Sequence, residues 1–209
     1  MEVPECLVTI FKTQRAAFRS SERDISLEDY RRLVRAAEER IGRGQKMGRQ
    51  LALVMETLAG TGIRVGELPF ITTAALAARR ATVFLKGKIR TVLLNAALCS
   101  KLRAYCREQG ITGGPVFVTR TGRPLDRSTI LRRMKALAAP AGIPRSKIFP
   151  HNFRHLFAVT YYEREKDVVR LADLLGHASI NTTRIYTMIT WETQLGILDG
   201  LGEILSAGT

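Results

Sequence analysis

The sequence predicts a mostly helical α+β domain with one small antiparallel β-sheet. Most of the 209 residues fall into segments with the apolar spacing of helices, and several of these segments begin at a capping residue or end at a glycine. Two β-branched runs, ATVFL and RTVLL, follow one another closely and are typical of paired strands. There is no internal repeat or low-complexity tract, and a chain of this length is expected to form one well-buried core.

The first two helices are predicted from their end signals. Ser26, with Asp29 three residues later, forms a capping-box pattern that predicts a helix through about Glu39, which the GRGQ stretch then ends. A second helix is predicted from about Gly48 to Gly60, where we expect Gly60 to adopt the left-handed conformation common after helices.

The middle of the chain changes from helical to strand periodicity. A short helical turn, VGELPF, precedes the two β-branched runs, and these are joined by the basic tip Lys86-Gly87-Lys88, which predicts a hairpin. Asn95 is predicted to cap a helix that ends at Gly110. The segment VFVT is expected to be briefly extended before a TGRP turn.

The remainder is predicted to be helical. Ser128 is expected to open a helix through Ala138, and Pro150 precedes the helical segment HNFRHLFAVTYYER. Gly176 closes the segment VVRLADLL, and Ser179 begins a last helix, INTTRIYTMIT.

The charge of the chain favours a polyanionic partner. The formal net charge is +14, and the basic residues are spread along the sequence. Lysine and arginine that neutralise phosphates release counterions, so salt-sensitive nucleic-acid binding is expected, the alternative being a basic protein that its charge keeps in solution. No apolar run approaches the roughly 20 residues of a membrane span, and the acidic start MEVPECLVTI differs from a secretory signal, which predicts a cytoplasmic protein.

The cysteines point away from a disulfide scaffold and from a zinc ribbon. There are three, Cys6, Cys99 and Cys106, an odd number without a C-x-x-C pair. Cys99 and Cys106 are seven residues apart in a helical pattern, so we expect them to pack on one face.

Four segments together carry the groups that DNA phosphodiester cleavage without a metal would require. Such cleavage needs a nucleophile, cationic donors to the non-bridging oxygens and a proton donor for the departing 5′ oxygen. The segments are GTGIRVGEL, KGK, PHNFRH and LLGHASINTTRIYT. In that order they resemble the signature of the tyrosine recombinase (phage integrase) family: an arginine after T-G-x, a hairpin lysine, H-x-x-R, and L-G-H followed nine residues later by a tyrosine. The resemblance, which is to mobile-element integrases in particular, covers residues 25–190.

The resemblance implies a role for each reactive side chain. Arg64 and Arg154 would be the two phosphate clamps, and His151 a proton acceptor or hydrogen-bond partner at the scissile phosphate. His177 would donate to a non-bridging oxygen, and Tyr186 would be the nucleophile. The three-residue spacing of His151 and Arg154 places both on one helical face.

Three further residues are expected near the site. Lys86 would be the general acid that protonates the leaving 5′ hydroxyl, with Lys88 as the alternative, because the tip reads K-G-K where the family often has K-G-x-K. Glu67 is expected to brace Arg64, and His155 either supports the site or packs. Taken singly, these residues also have ordinary structural explanations, such as a solvated basic turn for the hairpin tip or a core aromatic for Tyr186.

The implied function is that of a site-specific DNA recombinase or integrase. It would cleave and rejoin double-stranded DNA through a 3′-phosphotyrosyl intermediate, as a homotetramer on DNA at the bacterial nucleoid, with no metal, other cofactor, small-molecule substrate or membrane. The alternatives are a type IB topoisomerase and a DNA-binding remnant without catalysis. A purely structural helical protein does not suit a net charge of +14.

Three regions are expected along the chain. Residues 1–24 would be an arm or linker, residues 25–190 the catalytic domain, and residues 191–209 a tail. The apolar stripe of the tail would dock on a neighbouring subunit or fold back on its own domain. The family usually has a helical DNA-clamping domain ahead of the catalytic one, and 1–24 is too short to form it, so the chain is expected to be a fragment or a short natural protein.

Overall fold

The computed structural model describes residues 24–42, 47–85, 87–177 and 180–183. The predictions for most of the arm 1–24, for Lys86, for the helix start at Ser179, for Tyr186 and for the tail 191–209 fall outside these residues.

The described residues form a helical domain with a single hairpin, which confirms the predicted fold class. The α-helices are α1 (Leu27–Gly42), α2 (Met47–Thr61), α3 (Thr73–Ala78), α4 (Ala96–Gln109), α5 (Arg127–Lys135), α6 (Ala138–Ala141), α7 (Pro150–Glu165) and α8 (Val168–Leu175). The strands are β1 (Arg80–Leu85) and β2 (Lys88–Leu93), and short 3-10 helices cover Val65–Phe70, Arg145–Lys147 and Ile180–Thr182. Within this part of the chain, no helix is long and apolar enough to cross a membrane.

Helix α2 lies at the centre of the core. It packs against α1, α4 and α7, and the consecutive residues 51–55 are all buried. A helix that is apolar on every side is stable only when other elements surround it. At the end of α2 and just after it, Leu58, Thr61 and Ile63 are buried. The turn that follows the helix is therefore anchored in the core by packed side chains.

The hairpin is antiparallel and has one buried face. Ala81 pairs with Val92, and all three of Ala81, Val83 and Val92 are buried. Phe84 and Ile89 also pair, but both are exposed on the opposite face. The alternation is that of a ribbon lying on the domain surface, as the β-branched runs predicted.

Several predicted helix ends are confirmed by their hydrogen bonds. The Ser26 hydroxyl accepts from the amide of Asp29 at 2.9 Å, and the Asp29 carboxylate accepts from the amide of Ser26 at 3.2 Å. Asn95 accepts from an amide three residues on at 2.8 Å. Gly110 and Gly176 take positive φ angles of 67° and 63° after α4 and α8. The predicted packing of Cys99 and Cys106 is also found, since both are buried on α4.

The predicted end of the second helix was wrong by two residues. Gly60 lies inside α2, and the left-handed residue is Gly62, with a φ of 61°. A β-carbon added to Gly62 would lie 2.5 Å from Cδ1 of Phe157. The close approach of α7 therefore requires glycine at position 62, a contact that no local pattern reveals.

Two other helical predictions are corrected. Asp126, not Ser128, caps α5: its Oδ1 accepts from the amide of Thr129 at 2.8 Å. The helix ends at Lys135, and the next residues form the separate short helix α6, so it does not run to Ala138. Helix α3 had no counterpart in the predicted elements, because its TAALAA sequence is too short and uniform to show a period. In the VFVT segment, which was expected to be briefly extended, Val118 forms one isolated antiparallel bridge with Pro124.

Candidate active site

Arg64 stands at the start of the first 3-10 helix, where a buried carboxylate orients it. Glu67 is only 1% exposed. Its Oε1 accepts from Nη1 of Arg64 at 3.0 Å, and its Oε2 accepts from the Arg64 amide at 2.8 Å. The side chain of Arg64 is still 42% exposed, so the guanidinium is anchored from within while it remains open to a ligand. This arrangement confirms that Glu67 braces Arg64.

A second arginine shares the Glu67 carboxylate. Nη2 of Arg90 donates to Oε2 of Glu67 at 2.6 Å, and Nη1 donates to the carbonyl oxygen of Leu174 at 2.7 Å. Burial alone would raise the pKa of Glu67, but the hydrogen bonds from Arg90 and from Arg64 outweigh it and hold the pKa below its ordinary value. Glu67 is therefore ionised at neutral pH.

Helix α7 carries His151 and Arg154 on one face, as their spacing predicted. Pro150 occupies the first turn of this helix, where the missing amide hydrogen costs no helical hydrogen bond. His151 keeps much of its surface exposed, yet partial burial and the neighbouring cations, Arg154 foremost, lower its pKa. The imidazole is therefore neutral at physiological pH.

Arg154 is almost entirely buried, at 3% exposure, and it ties two distant turns together. Nη1 donates to the carbonyl oxygen of Gly62, just before Arg64, and Nη2 donates to that of Leu175 at 2.7 Å, just before His177. These bonds place the two segments that carry Arg64 and His177 against the same guanidinium.

His177 follows the left-handed Gly176 and is fixed by a buried hydroxyl. Its Nδ1 lies 2.8 Å from Oγ1 of Thr183, which is fully buried. Burial, followed by the positive charges of Arg154 and Arg64, lowers the pKa of His177 to about 4. The ring is neutral at pH 7, and any contact with a substrate oxygen would go through Nε2.

Three of the predicted site residues line one surface cleft. Arg64, His151 and Arg154 line it together with Arg127, the first residue of α5. His177 lies close enough to Arg154 and Arg64 for their charges to lower its pKa. Lys86 and Tyr186, the remaining predicted residues, lie outside the described part of the chain. Among the described residues, no group of three or more His, Cys, Asp or Glu side chains could hold a metal ion.

His155, which the sequence left open, has a contact at the edge of the domain. Its Nε2 lies 4.0 Å from Oδ2 of Asp24, and the ring is half-buried. This contact connects α7 to the residues that precede α1.

Sequence reasoning missed Arg90 and Thr183. A signal for Arg90 was present: in β2 it alternates in phase with the buried Val92, so it falls on the inward face of the hairpin. A charge at an inward position requires a partner, here Glu67. Thr183 offers no comparable signal, because a single threonine in a polar segment is equally common on a surface.

Comparison with known proteins identifies the family. The sequence model described as "Phage integrase family" matches residues 23–192, which is most of the chain. The chain belongs to the phage integrase family. The resemblance of the four ordered segments is thereby confirmed.

Relatives in the phage integrase family are about one third identical to this chain over the aligned residues. The tyrosine recombinase XerC of Brucella suis biovar 1 (strain 1330) is 33% identical over 188 residues, covering 87% of this chain and 59% of that protein. The chain thus spans less than two thirds of the length of such relatives.

Solved structures of the phage integrase family share the fold. The crystal structure of XerA recombinase superposes with a TM-score of 0.67 and 28% identity, covering 85% of this chain and 64% of that one. The Tn1549 transposon integrase, in complex with transposon right end DNA, gives a TM-score of 0.69 at 16% identity, covering 88% and 68%. The second likeness extends the fold to an integrase of a mobile element.

Proposed function

We propose that this chain is the catalytic part of a site-specific DNA recombinase or integrase that cleaves and rejoins DNA through Tyr186. The observation that carries the proposal is the shared cleft, in which Arg64, His151 and Arg154 line one surface and His177 stands within range of their charges. Two guanidinium groups and an imidazole around one opening suit an anionic group such as a phosphate better than an apolar ligand.

Arg64 and Arg154 would bind the non-bridging oxygens of the scissile phosphate. A guanidinium is always charged and presents a rigid fork of donors, which matches phosphate geometry. Glu67 holds Arg64 in place before any ligand arrives, so little reorganisation would be needed when the phosphate binds. The formal net charge of +14 supports a DNA partner over the rest of the surface.

The two histidines would act as neutral hydrogen-bonding groups. His177 uses Nδ1 toward Thr183, so its Nε2 hydrogen would donate to a non-bridging oxygen when the Thr183 hydroxyl donates to Nδ1. His151 would accept a proton or a hydrogen bond at the phosphate, a role that its lowered pKa supports because the ring is unprotonated at neutral pH.

The covalent step would exchange one phosphodiester for another. The Tyr186 oxygen attacks phosphorus as it gives its proton to His151. The bond from phosphorus to the 5′ oxygen breaks, and that oxygen takes a proton from Lys86. The products are a 3′-phosphotyrosyl link and a free 5′ hydroxyl. A 5′ hydroxyl of a partner strand then attacks the link and releases Tyr186, so no external energy source is consumed.

The proposed partners are double-stranded DNA and further copies of the chain. Strand exchange between two duplexes requires four active sites, so a homotetramer on DNA at the bacterial nucleoid is the assembly we propose. The DNA complex of the Tn1549 integrase, which shares the fold, supports DNA as the partner.

Covalent trapping tests the proposed reaction. The protein would be incubated with nicked suicide duplexes that cover the DNA flanking its own gene, then denatured and examined for protein-linked DNA. We expect an adduct with the native chain and none with Tyr186→Phe. Tyr161→Phe is the matched control, since this tyrosine stacks on Phe157 away from the cleft, and it should form the adduct normally.

The outcomes separate the proposed activity from its alternatives. An adduct that persists in Tyr186→Phe would overturn the assignment of the nucleophile. No adduct from the native chain, with salt-sensitive binding intact, would instead favour a DNA-binding protein without catalysis. Relaxation of supercoiled plasmid by a monomer, without strand exchange, would favour the topoisomerase alternative.

A further inference from the structure

Arg90 connects three elements that each carry part of the proposed site. It belongs to β2 of the hairpin, and its side chain is only 11% exposed. One end of its guanidinium donates to Glu67 at 2.6 Å, and the other end donates to the carbonyl oxygen of Leu174 at 2.7 Å. The same guanidinium therefore binds the carboxylate that braces Arg64 and the last turn of α8, the helix that precedes His177.

The aliphatic part of Arg90 also fills the space beside Gly176. A β-carbon added to Gly176 would lie 2.4 Å from Cδ of Arg90, a distance that real side chains do not reach. Gly176 is therefore required both for its positive φ and for the close passage of Arg90. The turn that presents His177 is shaped against this side chain.

The hairpin register adds a third connection. Leu85 pairs with Lys88 at the end of the ladder, and Arg90 pairs with Val83 just inside it. Arg90 thus anchors the strand two residues from Lys88 and four from Lys86, the two candidates for the general acid. The rise per residue of a strand is nearly constant, so the position of Arg90 sets that of the Lys88 backbone in β2.

We propose that Arg90 is a positioning residue for strand cleavage, whose guanidinium aligns Arg64, His177 and strand β2 with one another. The proposal rests on the proposed function, but it concerns a residue to which that function assigns no chemical role. Arg90 would touch neither the phosphate nor the nucleophile, and it would act through Glu67, Gly176 and its own strand.

The inward position of Arg90 also argues against a purely packing role. Its Nε is buried and has no hydrogen-bond partner among the described residues, so the side chain is not an ideal filler of the interface. Its paired neighbour Val83 shows that the same face accepts an apolar side chain. A buried ion pair is often no more stable than apolar packing, whereas its directional bonds specify one arrangement.

The test separates DNA binding from cleavage in variants of Arg90. The native chain, Arg90→Gln, Arg90→Lys and the control Arg80→Gln would be compared on a nicked suicide duplex that the native chain cleaves. Arg80 is an exposed arginine on the same hairpin, so its replacement removes the same charge. For each variant, the dissociation constant for the duplex and the rate of adduct formation at saturating protein would be measured.

We expect Arg90→Gln to bind the duplex within about twofold of the native chain and to form the adduct about 100-fold more slowly, since small misplacements of catalytic groups carry losses of that order. Arg90→Lys can reach one acceptor but not both, so its rate of adduct formation should lie between those of the native chain and Arg90→Gln. Arg80→Gln should match the native rate. A native rate in Arg90→Gln would overturn the proposal, and so would a loss confined to DNA affinity.

A double-mutant cycle with Glu67→Gln checks that Arg90 acts through Glu67. If the two form one unit, the double variant should cleave about as slowly as the slower single variant. If the fold-losses in rate of the two single variants multiply in the double variant, Arg90 and Glu67 act independently, and the proposal is overturned. In Arg90→Gln, cleavage should also begin to fall at a higher pH on the acid side, because Glu67 loses the hydrogen bond that keeps it ionised.

Two measurements keep the proposal testable where cleavage fails. Circular dichroism would report whether each variant folds, and unfolding of both Arg90→Gln and Arg90→Lys would assign Arg90 a structural role only. If the native chain cleaves no duplex, the proposed function fails. The alignment of His177 by Arg90 can then still be tested through the imidazole NMR signals of the three histidines. A displaced His177 signal in Arg90→Gln, with that of His155 unchanged, would support the alignment, and unchanged signals would overturn it.

Discussion

The guanidinium of Arg154 donates a hydrogen bond to the carbonyl oxygen of Gly62, 92 residues earlier in the chain. Its other amino group donates to Leu175. A side chain proposed to bind phosphate therefore also holds together the turn after α2 and the end of α8. Arg64, by contrast, is partly exposed and contacts its own short segment. The two arginines should differ in how they affect stability.

Replacement of Arg154 by glutamine should destabilise the fold much more than the same replacement of Arg64. Arg154→Gln leaves two carbonyl oxygens in the interior without their charged donor, for an expected loss of about 3 kcal/mol in the free energy of unfolding. Arg64→Gln should lose less than about 1 kcal/mol, because its ion pair is partly solvated. Urea denaturation measures both, and equal losses would contradict the bracing role of Arg154.

Alanine should have opposite effects at the two glycines near the end of α2. Gly62→Ala combines an unfavourable positive φ with a contact of 2.5 Å to Phe157, so a loss of about 3 kcal/mol is expected. Gly60→Ala lies in the last helical turn of α2, meets no atom closer than 3.7 Å, and should gain about 0.5 kcal/mol. Thermal unfolding of the two variants should move the midpoint in opposite directions.

Glu67 should contribute stability that disappears in acid. Its pKa in the folded protein lies below the ordinary value of 4.5, so the carboxylate stabilises the fold fully above about pH 4.5, and this contribution is lost as the pH falls below that value toward the folded-state pKa. The free energy of unfolding of the native chain and of Glu67→Gln should be measured from pH 7 down to about pH 3. Their difference should shrink below pH 4.5; a difference that does not change with pH would contradict the ionised, paired state of Glu67.

The imidazole of His177 should titrate near pH 4 in the DNA-free protein. Burial and the nearby arginines lower its pKa from 6.5 to about 4, so its neutral form supports the fold above pH 6.5 and that support is lost as the pH falls from 6.5 through about 4. Imidazole NMR signals followed during a pH titration measure this directly. A bound duplex should raise the pKa, because phosphates offset the arginine charges. An ordinary pKa without DNA would mean that His177 is not in the described environment.

The local features of the fold and of the site were predictable because each depends on residues that are close in sequence. The capping box of Ser26, the cap at Asn95 and the brace from Glu67 to Arg64 are all formed over three residues. Helix and turn geometry bring such residues together wherever the segment lies in the fold. The common face of His151 and Arg154 follows for the same reason.

The features that sequence reasoning missed depend on contacts between distant segments. The left-handed residue is Gly62 and not Gly60, and Phe157, on a different helix, leaves no room for a side chain at position 62. Arg90 acquires its importance from Glu67 and from Leu174, which is 84 residues away. Such partners are chosen by packing, which no local spacing encodes.

The helical class with one hairpin, the order of the reactive segments, the basic charge and the membership of the phage integrase family were all readable in the sequence, because periodicity, capping and motif spacing are local properties of the chain. The fold was needed to establish that Arg64, His151 and Arg154 line one cleft and that Arg90 and Arg154 brace the segments around it. The cleft lies between the first 3-10 helix, α5 and the start of α7, and the packing of the buried faces of these elements sets where they meet.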